Sequence, residues 1–184
     1  MQTILIFHLM NIIIMPFFFY HLNKHFIVTN MHLSSLSFLI PILLLDLPNY
    51  IYSSLVSLMF SSLVYHNCPN RLTKLIDYAN IINVCSNIYF YDPSYSFVLI
   101  VLYFIESILF RTNMVKNIIY FLCYSKFSQY CLVNTFFFSS LTVYGIHLYR
   151  KEFTETQRWL WHIGQAMYIY SSLSTEFEQR KNFM

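Results

Sequence analysis

The sequence predicts an all-α, polytopic membrane protein: a seven-helix core bundle preceded by an extra N-terminal hydrophobic helix. Three observations predict it. Charged residues make up 10% of the 184-residue chain, whereas a soluble domain carries about 25%, too little here to cover a globular surface. Hydrophobic residues make up 57%, and the mean hydropathy is +0.51. Short polar breaks divide the chain into apolar runs, and its length suits about seven crossings of about 20 residues each with short loops. Together these argue against a soluble enzyme and against a disordered chain.

The elements follow in order. A first apolar run covers residues 3–22 and is interrupted by Lys24 and His25. It lacks a basic leading region and a small-x-small cleavage site, so residues 1–31 read as an uncleaved helix or anchor rather than a cleaved signal. The seven-helix domain covers residues 32–174. Its first span is 33–46, and Pro48 breaks the chain before the second, 49–65. A polar loop from His66 to Arg71 leads to the third span, 75–91. The tight turn Asp92-Pro93-Ser94 precedes the fourth, 95–110. The fifth, 117–124, is too short to cross as drawn. The sixth covers 130–149 and the seventh 159–173. Residues 175–184 read as a charged, frayed tail.

The chain has only two Gly and two Ala. Membrane helices use small residues where they pack, and Ser takes that role here, as in Ser53, Ser54, Ser61 and Ser62. The net charge of +3 is small and scattered, which excludes a nucleic-acid surface. Sorting Lys and Arg by side places Lys24, Arg71, Lys74, Arg111, Lys116, Arg150, Lys151 and Arg158 on one face, and Lys126, Arg180 and Lys181 on the other. The excess marks the first face as cytoplasmic. The cysteines, Cys68, Cys85, Cys123 and Cys131, form no CxxC pair, so neither a zinc ribbon nor a redox motif is indicated. Cys85 and Cys123 lie in apolar runs and read as packed thiols. Cys68, in a loop, is free to pair near its own face.

The informative residues are the few ionisable ones at span ends. His66 closes the second span, and Ser62 lies one turn before it on the same helix face. Asp77 opens the third span and His162 the last. All four fall at one membrane face. A carboxylate in an apolar span is costly and faces a partner or a wet cavity. Two His and an Asp at one depth suit a metal with an open position for water. The plainer reading is that each His reaches water at an interface, as for His8, His21, His25 and His32, and that Asp77 complements its helix dipole. Glu106 and His147 read as structural.

The segment Leu33-Ser34-Ser35-Leu36-Ser37-Phe38-Leu39 and the later Ser62-Leu63-Val64-Tyr65-His66-Asn67-Cys68 resemble the seven-span family of myomaker and transmembrane protein eight. So do Leu75-Ile76-Asp77-Tyr78 and Arg158-Trp159-Leu160-Trp161-His162, in the same order, across about 31–173. That family is grouped with alkaline ceramidases and adiponectin-receptor-like proteins. The resemblance implies a seven-helix fold with a zinc site near one face, His66 and His162 as ligands, and Ser62 and Asp77 supporting a metal-bound water. One His of the family's last-span pair is missing: its position falls on Arg158 or on Ala166. The loop between His66 and Asp77 is also short for the family, and the implied orientation is opposite to the Lys and Arg count.

Two functions follow as expectations. One is a zinc-dependent lipid hydrolase that cleaves an ester or amide, with membrane lipids as partners. The other is a non-enzymatic protein of the same fold, acting in membrane remodelling, fusion or assembly. A transporter ranks last, because Glu106 and His147 are too few to line a path.

Overall fold

The computed structural model describes residues 33–150 and 155–182, with side chains described outside 145–155 and 179–182. The expected N-terminal helix, its histidines and the His147 side chain therefore lie outside the described residues. Within them the fold is all-α, as the sequence predicts, and no strand occurs. A 3-10 segment, Ser34–Phe38, runs into the short α1, Leu39–Leu44. Then come α2 (Asn49–Asn67), α3 (Arg71–Phe90), α4 (Pro93–Leu109), α5 (Met114–Phe127), α6 (Cys131–Arg150) and α7 (Glu155–Asn182).

Local chemistry sets most of these boundaries. Pro48 has the fixed φ that suits a helix entry and precedes α2. Asn70 and Thr73 exchange side-chain and backbone hydrogen bonds of 2.9 and 3.0 Å, a capping box that starts α3. Asp92 accepts from the Ser94 N–H at 2.9 Å, and Pro93 is the first residue of α4. The start of α5 has no cap from its own N-cap residue, Asn113. The Glu106 carboxylate reaches over from α4 instead, accepting from the backbone N–H of Met114, from that of Val115 at 2.9 Å and from the Thr112 hydroxyl. An anion at a helix N-terminus is favoured by the dipole and by free N–H groups. Glu106 thus has the structural role expected of it.

Helices usually end on a left-handed glycine. In this glycine-poor chain the left-handed positions fall on Tyr91 (φ 55°), which closes α3, and Arg111 (φ 56°), just after α4.

Four spans differ from their predicted limits, and the third, predicted from residue 75, already starts at Arg71 behind its capping box. The first is not one helix but the 3-10 segment followed by α1. The fifth extends at both ends, because its N-terminal cap comes from a distant residue. The last runs through the predicted tail to Asn182. There Glu176 is buried and pairs with Lys126 at 3.1 Å, so burial and an ion pair hold residues expected to fray.

Helix α3 is central and packs on α2, α4 and α5, while α7 packs on α6, the 3-10 segment and α1. Two ends of the bundle are defined by side chains. At one, Lys74 and Lys116 both lie over the Tyr78 ring. At the other, Lys126 donates to the carbonyls of Ile88 and Tyr89 and pairs with Glu176.

The core is an apolar cluster that also holds many polar side chains, and one helix presents an apolar face outward. Helix α4 turns Phe97, Val98, Val101, Leu102, Ile105 and Ile108 outward, all exposed. Its buried positions include Ser96, which bonds Asn87 of α3 at 2.7 Å and Ser86 at 2.6 Å. Tyr120, Gln165 and Ser140 make a second internal chain, with hydrogen bonds of 2.6 Å each. Inside the helices, Ser54, Ser61 and Ser140 reach carbonyls three residues back, and Ser61 and Ser140 also bond side chains of neighbouring helices. Among the described residues, no helix is long and apolar enough to cross a membrane.

Candidate functional site

Ser62 lies on the last turns of α2, a helix that carries two adjacent serines. Neighbouring residues on a helix point about 100° apart, so Ser61 and Ser62 address different partners. Ser61 faces α3 and donates to the Asp77 carboxylate at 3.2 Å. Ser62 faces α7 and lies 3.2 Å from Nε2 of His162. All four residues are buried.

The hydrogen bonds around His162 fix its tautomer. Nδ1 lies 3.0 Å from the backbone carbonyl of Arg158, one turn earlier. A carbonyl only accepts, so Nδ1 carries the proton and Nε2 presents a lone pair. Ser62 donates to that lone pair, and Ser35 of the 3-10 segment donates to Ser62 at 3.1 Å. The result is a directed chain from Ser35 through Ser62 and His162 to Arg158. It joins three elements that are far apart in sequence.

His66, one turn beyond Ser62, is partly buried, and its ring lies edge-on to that of His162 with centroids 4.7 Å apart. Phe38 packs on His162 at 5.8 Å, also edge-on. Three of the four predicted site residues, Ser62, His66 and His162, are therefore in direct proximity. Asp77 stands one step removed, attached to Ser61 rather than to Ser62. Arg158, the first candidate position for the missing histidine, contributes its carbonyl. Ala166, the second, is fully buried.

Sequence reasoning missed Ser35 and Ser61 as site residues. Both were legible only as small packing residues. The signal that would have found Ser61 is the serine doublet itself, since two adjacent hydroxyls at a helix end must face two different neighbours.

The donor set fits part of a zinc site. Two imidazoles lie side by side, but a catalytic zinc takes three protein ligands. Among the described residues, no group of three His, Cys, Asp or Glu side chains is placed to hold a metal. The four cysteines are free thiols, and Cys85 and Cys123 are buried as expected. No protein-family model, curated protein or solved structure matches this chain.

Proposed function

We propose that this protein is a membrane-embedded hydrolase that cleaves an ester or amide bond of a lipid, with Ser62 as nucleophile and His162 as its base. The observation that carries this reading is the 3.2 Å contact between Ser62 Oγ and the unprotonated Nε2 of a histidine oriented by a third group. That is the arrangement an activated hydroxyl needs. The apolar outer face of α4 supports a lipid environment.

In the forward step the Ser62 oxygen bonds to the substrate carbonyl carbon as its proton passes to His162 Nε2. The carbonyl of Arg158 keeps the imidazolium oriented. His162 then gives that proton to the departing alcohol or amine as the scissile bond breaks, leaving an acyl-serine. Water enters, loses a proton to His162 and releases the fatty acid, which restores Ser62. Asp77, buried beside this chain, fixes the Ser61 turn. The substrate enters sideways from the bilayer, because the site lies near one end of the bundle. No step runs through zinc, since the described donors supply only His66 and His162.

Purified full-length protein in nanodiscs, offered lipid esters and N-acyl amides, tests this by mass spectrometry of released fatty acid. Release should vanish in Ser62→Ala and His162→Ala and persist in the exposed control Ser125→Ala. A fluorophosphonate probe should label Ser62. No release from wild type, or unchanged release from Ser62→Ala, overturns the proposal.

A second reading is a non-enzymatic membrane protein of the same fold. What favours it is the closed hydrogen-bond chain, in which Ser35, Ser62 and His162 already satisfy one another. It requires that the cellular role survive Ser62→Ala at normal protein levels. Loss of that role at such levels counts against it.

A further inference from the structure

At the same end of the bundle, on the side of α3 facing α4, lies a second feature that the Ser62 chain does not use. An open cavity of about 290 Å³ is lined by Arg71 and Lys74 of α3, Tyr103 and Ser107 of α4, and Arg111 and Thr112 of the α4–α5 loop. That volume is at the lower end of small-ligand sites, about 300 Å³.

Three cationic side chains share this cavity, and no acidic side chain lines it. Among the described residues, none of the three is paired with a carboxylate. Glu106, the acid nearest in sequence to Arg111, is committed to the N-terminus of α5 and to Thr112. Asp77 is buried and bonded to Ser61. All three are exposed, so water screens their mutual repulsion, while their shared positive charge in one concavity attracts an anion.

Arg111 holds φ 56°, the left-handed position that follows the end of α4 and favours glycine.

We propose that this cavity binds a phosphate group, held by Arg71, Lys74 and Arg111 with Ser107 as a further donor. Arginine forks suit the oxygens of a phosphate, and lysine adds a point charge. The surroundings favour the headgroup of an anionic phospholipid. Ile108, Leu109 and Phe110 lead straight up to Arg111 and are 63%, 66% and 70% exposed. An acyl chain lying along that apolar surface leaves its phosphate at the cationic rim. The site does not depend on the hydrolase reading, because none of its residues belongs to the Ser62 chain.

The test uses purified full-length protein in nonionic detergent. Short-chain phosphatidic acid, phosphatidylcholine and inorganic phosphate are titrated separately and read by native mass spectrometry and thermal unfolding. Phosphatidic acid should bind and raise the melting temperature, with phosphatidylcholine weaker. The double variant Arg71→Gln/Arg111→Gln should bind at least about tenfold more weakly, the loss expected for one or more charge-assisted contacts. Arg111→Gly should lose affinity without losing thermal stability, which separates binding from folding. Arg180→Gln/Lys181→Gln, the same charge change on the C-terminal turns of α7, should bind as wild type does. Ser62→Ala should also bind as wild type, so a failed hydrolase assay leaves this result standing. If inorganic phosphate alone reproduces the shift, the ligand is a soluble phosphate and the site stands. No binding of either phosphate form, equal binding by Arg71→Gln/Arg111→Gln, or equal loss in the Arg180/Lys181 control overturns the proposal.

Discussion

Replacing Ser62 by alanine should cost more stability than the size of the side chain suggests. Ser62 is at once the acceptor for Ser35 and the donor to His162, and all three are buried. Ser62→Ala therefore strands two groups, the Ser35 hydroxyl and the His162 Nε2 lone pair. Each orphaned buried polar group costs about 1–3 kcal/mol. Ser35 can turn its hydroxyl toward its own backbone, so the lower half of the range applies to it, and the total is about 2–5 kcal/mol. Ser35→Ala removes only one hydrogen bond and leaves Ser62 donating to His162, at about 1 kcal/mol. The double variant no longer contains a stranded Ser35 and loses the Ser35–Ser62 bond only once, so it should be more stable than the sum of the single changes by about 2–3 kcal/mol. Unfolding by denaturant in mixed micelles measures all three. Distant independent sites add within about 0.3–0.5 kcal/mol. Additivity within that limit would refute the hydrogen-bonded chain.

Other positions give sharper, local outcomes. Glu106→Gln should destabilise by about 1–2 kcal/mol in the same unfolding assay, because the start of α5 loses its charged acceptor. Asn70→Ala should cost about 1 kcal/mol by removing the capping box of α3. A Cβ added at Gly164 meets Ser140 Cβ at 3.0 Å across α6 and α7. Gly164→Ala should therefore stay within about 1 kcal/mol of wild type, its strain offset by helix propensity. Gly164→Leu should cost over about 2 kcal/mol by forcing the helices apart. Asp77→Asn should keep the fold, since an amide oxygen still accepts from Ser61; loss of the helical signal in circular dichroism would show that the carboxyl itself is needed.

How much of this was legible beforehand depended on the range of each interaction. The helical class and most helix starts are written locally: Pro48, the Asn70 to Thr73 box and the Asp92-Pro93 step each act within a few residues. The start of α5 is set by a carboxylate eight residues earlier, on another helix, so a window of apolar periodicity missed it. The persistence of α7 past residue 173 depends on Lys126, fifty residues earlier. At the site, Ser62, His66 and His162 were placed together by span ends and resemblance, and the geometry brings them together. Asp77 was grouped with them by depth along the bundle. Depth says nothing about direction around a helix axis, and Asp77 is attached to the other serine of the doublet.

The order in which the site is made has a consequence for the cell. Ser62 and His162 are separated by 100 residues. A nascent chain therefore carries the Ser62 hydroxyl for the whole of that synthesis without its imidazole partner. Ser35 and Ser62 can meet early, but the helix bearing His162 must dock on the 3-10 segment before the chain of hydrogen bonds closes. The buried hydrogen-bond chain is thus absent from a partly synthesised product and closes only when the last helix docks, so its completion reports assembly of the whole bundle.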